Sequence, residues 1–109
     1  MRKGCRVWGN AERLKPEAVE DLKAKLSLFE TVEIEGESLN VEHDASQMDE
    51  DDVAEAAQAI ADALSETGFG QLDLIDHNQD FVLRFAIEPG SIKARKTGSN
   101  EVLEKYNQQ

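Results

Sequence analysis

Between Leu26 and Leu83 this chain has no Lys and no Arg, although the same stretch carries 16 of its 23 acids. The cations lie at the two ends, seven within residues 1–25 and five within residues 84–109, and the formal net charge is −11 at pH 7. A field of that sign repels phosphate backbones and anionic lipid, so neither direct nucleic-acid binding nor membrane-surface binding is expected, and a basic protein partner is. Charge sorted along a sequence becomes charge sorted in space only if the fold keeps the middle on one side. A sheet with outer strands drawn from the chain ends can preserve that sorting or undo it.

Cysteine is nearly absent as well. Cys5 is the only one, which excludes an intramolecular disulfide and favours the reducing cytoplasm over secretion. No run of 18 apolar residues occurs, so no membrane-spanning helix is expected. The opening MRKGCRVWGN lacks the apolar stretch of a secretory signal. Proline (two) and glycine (seven) are sparse and 39% of residues are hydrophobic, a composition that is neither fibrous nor disordered. A length of 109 residues suits one domain with its own core. We assign that domain to residues 1–96 and read 97–109 as a polar, mobile tail.

The motifs of common chemistries are missing too. There is no GxxxxGK[ST] phosphate cradle, no GxGxxG after a strand and no nucleophile elbow. Two acid-rich stretches fail as calcium loops, because Asp49 and then Phe81 occupy the position where such a loop needs glycine. His43 and His77 with one cysteine make at best an incomplete transition-metal site. Each histidine adjoins an aspartate, as expected of a solvated loop or strand end, and Cys5 reads as a small buried residue. No cofactor or metal is expected, and no catalytic residue can be singled out among so many carboxylates.

Periodicity supplies the elements. Residues 4–12 alternate as a short strand, with Arg6 and Trp8 on the side opposite Cys5 and Val7. Pro16 then opens a helix to about Leu28, with Val19, Leu22, Leu26 and Phe29 along one face. Residues 31–35 and 38–44 alternate around Gly36 as a hairpin, apolar on one side and acidic on the other. Val53, Ala57, Ile60 and Leu64 form the stripe of a second helix, capped by Ser46 or Asp49 and stopped at Glu66-Thr67-Gly68. GQLDLID and DFVLRFAIE read as another strand pair, followed by a short strand at 91–95 and a helical turn near 101–106. The order β-α-β-β-α-β-β predicts an α+β fold, a ferredoxin-like β-α-β-β-α-β sheet with an extra C-terminal strand and two helices on one face.

Such a fold hosts many unrelated functions, so the functional expectation rests on charge. Glu33, Glu35, Glu37 and Glu42 on the hairpin, with Asp49, Glu50, Asp51 and Asp52 at the helix start, are the candidate partner-binding residues. Helix physics accounts for some acids in a first turn, where they face the positive end of the dipole. It does not require four in a row. The expected function is that of a small non-catalytic binding protein, regulatory or inhibitory, docking a basic protein surface, with a nucleic-acid mimic as the narrower form. Two alternatives are a small-molecule site or small enzyme with a pocket formed by the sheet face, Trp8, His43 and His77, and an oligomeric structural module joined through an exposed edge strand. The sequence leaves the oligomeric state open.

Overall fold

A computed structural model describes residues 3–98. The helical turn expected near 101–106, and all of the expected tail beyond Gly98, lie outside those residues. The chain forms β1 (Cys5–Leu14), a 3-10 turn (Pro16–Ala18), α1 (Val19–Lys25), β2 (Thr31–Glu35), β3 (Ser38–Ala45), α2 (Glu50–Ala63), β4 (Leu64–Asp76), β5 (Phe81–Glu88) and β6 (Ser91–Gly98). The class is α+β. All six strands join one antiparallel sheet in the order β2-β3-β1-β4-β5-β6.

Alternation along each strand sends one set of side chains toward the helices and the other toward water. Val7, Leu39, Val41, Leu72, Leu74, Phe85 and Ile87 point inward and form one core with Leu22 and Leu26 and with Val53, Ala57 and Ile60 of α2. Most of these are fully buried. At roughly 25 cal/mol per Å² of apolar surface, this layer contact is the main stabilising term. Asp49 caps α2, its Oδ1 accepting the Asp51 N–H at 2.8 Å, and Gly36, at φ 61, makes the β2–β3 turn.

Three boundaries depart from the periodic reading. The first helix stops at Lys25 instead of about Leu28, and tight turns over residues 26–29 bury Leu26 and Phe29 while leaving Leu28 42% exposed. The apparent stop at residues 66–68 is no stop. Strand β4 begins at Leu64, directly after α2, because this segment pairs with the end of β1 across an irregularity at Arg13. Arg13 sits at φ 63, and a Cβ on Gly68 would lie 3.0 Å from the Arg13 carbonyl oxygen. Gly68 is therefore the residue that lets a bulged strand approach closely, not a helix terminator. Finally, β6 is a full strand of eight residues, paired with β5 over its whole length, so ordered structure continues through Thr97 and Gly98.

Candidate functional site

Both helices and the core occupy one side of the sheet, and the outward-pointing residues of the six strands make a broad open face. Strand register arranges them in rows. One row runs Thr31, Glu42, Trp8, Asp73, Arg84 and Arg95 from edge to edge, and the next runs Glu33, Asn40, Asn10, Gln71, Ala86 and Lys93. Beyond them, Asp44, Arg6, Ile75, Val82 and Thr97 form one flanking row. The half made by β2 and β3 is acidic. The half made by β5 and β6 carries Arg84, Lys93 and Arg95. Trp8 lies between them, half-buried in the middle of the face.

The ion pairs follow from this register. The Arg84 Nε and Nη2 donate to the two oxygens of Asp73 at 2.9 and 3.0 Å, a bidentate contact between adjacent strands. Asp73 is only 5% exposed although it faces outward. The contact raises the guanidinium pKa above its already high value. Arg6 approaches Glu42 at 3.7 Å, and Ser38 donates its hydroxyl to Glu12. Cations from the ends of the chain thus reach acids of the middle segment across strand pairs, which reduces the polarisation visible in the sequence.

The candidate acids are divided between two layers. Glu33, Glu35 and Glu42 project from the open face, and Glu37 is exposed in the β2–β3 turn. Asp49, Glu50, Asp51 and Asp52 start α2, on the other side of the sheet, where Glu50 accepts from Lys96 Nζ of β6 at 2.9 Å. Lys96 also lies over the Phe81 ring at 4.2 Å. Asp44, which joins the acidic half of the open face, belongs with the hairpin acids. Strand alternation would have identified it as the next outward position after Glu42.

Trp8, His43 and His77 do not converge. Trp8 is on the open face, His43 is at an inward position of β3 opposite Val7, and His77 follows β4 in a turn. His43 is not a solvated residue, since its side chain is 15% exposed and packs edge-on against Phe29 at 5.8 Å between centroids. Its Nδ1 accepts the Glu30 N–H at 3.1 Å. The two-residue alternation that placed Leu39 and Val41 inward also reaches position 43, and this is the signal that marks it as part of the core.

Cys5 is 5% exposed, as expected of a small buried residue. Burial, and then the adjacent Asp76 carboxylate, push its thiol pKa up. The Asp76 Oδ1 accepts the N–H groups of Asn78 and Gln79 at 2.8 and 2.9 Å, closing the turn after β4. Beside this turn lies an open depression of about 580 Å³ lined by Gly4, Ser46, His77 and Asn78 among others. Every buried side-chain nitrogen and oxygen among the described residues has a partner. None of the described His, Cys, Asp and Glu residues group as a metal site, and no described helix is long and apolar enough to cross a membrane. No protein-family model, curated protein or solved structure matches the chain.

Proposed function

We propose that this is a small non-catalytic binding protein, regulatory or inhibitory, that docks a basic protein surface on the β2–β3 half of its open sheet face. The observation behind this reading is that Glu33, Glu35, Glu42 and Asp44 leave adjacent strands toward the same side and that, among the described residues, Arg6 is the only Lys or Arg set directly beside any of them by strand pairing. Neighbouring strands are about 4.8 Å apart and alternate residues about 6.7 Å apart. The carboxylates therefore form a two-dimensional array, suited to steering a basic partner and setting its orientation. In the narrower form the array stands in for the phosphates of a nucleic acid. The acids at the start of α2 would serve solubility and the helix dipole instead. The order β2-β3-β1-β4 supports a ferredoxin-like split βαβ unit extended by β5 and β6, and the lone buried thiol supports residence in the cytoplasm.

Affinity capture from native lysate at low and high salt tests the reading. Basic proteins should be retained at low salt and released at about 0.5 M, where the screening length falls below about 5 Å. Glu33→Gln, Glu35→Gln and Glu42→Gln combined should abolish capture while changing fold stability by no more than about 1 kcal/mol. Capture that survives these three substitutions rules the reading out.

A further inference from the structure

The open face is complementary to itself, and we infer that a second copy of this chain covers it, in a two-fold dimer packed sheet against sheet. A two-fold axis parallel to the strands and running between β1 and β4 would pass through the middle of the sheet order. It would place β2 over the second copy's β6, β3 over its β5 and β1 over its β4, without shifting any residue along the strand direction. Two of the rows then match in charge. Glu33 meets Lys93 of the second copy, Glu42 meets Arg84, and Thr31 meets Arg95, each contact occurring twice. An axis across the strands would instead set acid on acid.

The centre of the contact is apolar enough to be covered. Trp8, Ile75 and Val82 are each only partly buried within one chain, and Phe69 is 55% exposed. Six strands at about 4.8 Å and eight residues at about 3.3 Å give a face of roughly 760 Å² per copy. The pair would bury about 1,500 Å², within the range of specific interfaces. Facing sheets cross at about 30° because of their twist, which rotates the rows but keeps their order from edge to edge. Single-stranded nucleic acid fits this face less well, because Glu42 and Asp73 flank Trp8 in its own row. The dimer does not rest on the proposed docking function, and a basic partner would compete with the second copy for the acidic half.

Sedimentation velocity over a concentration series tests the dimer, with Trp8 fluorescence as a second readout, since Trp8 is the only tryptophan. Association on the order of micromolar is expected, with a blue shift of Trp8 emission on dimerisation and dissociation at about 0.5 M salt. Lys93→Glu with Arg95→Glu should raise the dissociation constant about tenfold or more, as should Glu33→Lys with Glu42→Lys in a separate protein. Mixing the two double variants should restore a heterodimer, which loss of folding could not mimic. The lysine and arginine reversals should leave capture of basic partners intact. A monomer at every concentration, a dimer indifferent to both reversals, or a mixture that stays monomeric overturns the assignment. A monomer whose Trp8 emission responds to a single-stranded RNA oligonucleotide overturns it too.

Discussion

At the scale of single residues, a few positions show how local chemistry was set and how it can be tested. Burial and Asp76 hold the Cys5 thiol above its ordinary pKa. The unfolded chain loses that proton near pH 8.5, while the folded chain keeps it. The stability from this group is therefore complete below about pH 8.5 and is lost as pH rises through the folded value. Thermal melts at about pH 7, 9 and 10 should show the native protein losing more stability than Cys5→Ala over that interval. Parallel curves would contradict a retained proton. Asp49→Ala should cost about 0.5 to 2 kcal/mol, because it removes the acceptor for the Asp51 N–H. The cap was legible because a short acid precedes an apolar stripe. The environment of His43 was obscured by its polar neighbours, Glu42 and Asp44.

Elements were legible where one period ran unbroken, and their ends were not. The α2 stripe is such a case, and Ile60, fully buried within it, should cost about 2 to 5 kcal/mol when changed to Ala. The junction at residues 64–68 misled because glycine after a helical stripe signals a stop, whereas here it lets β4 close on β1 at the irregularity between Glu12 and Leu14. Two substitutions check that account by chemical denaturation. Gly68→Ala should lower stability by about 1 to 3 kcal/mol, since its Cβ would meet Leu64 Cβ at 2.9 Å and two backbone oxygens at 3.0 Å. Arg13→Gly should hold stability or raise it, because Arg13 occupies the left-handed region that glycine tolerates. The reverse ranking would mean that the bulge is not what selects Gly68.

For the whole molecule, the sequence alone determined the α+β class, the hairpin, the second helix, the buried cysteine and the alternation that makes one sheet face apolar and the other charged. These follow from periods of two and of 3.6 residues, which local geometry imposes. Only the tertiary structure decided which acids share a surface. Strand order places β2 and β6 at opposite edges and α2 behind the sheet, so a block of acids continuous in sequence is split between two layers. The same order carries Arg84 to Asp73, Arg6 to Glu42 and Lys96 to Glu50. Pairing between strands joins residues far apart in the chain, and no local pattern specifies which strands become neighbours. That choice depends on burying one apolar face of every strand against the same two helices.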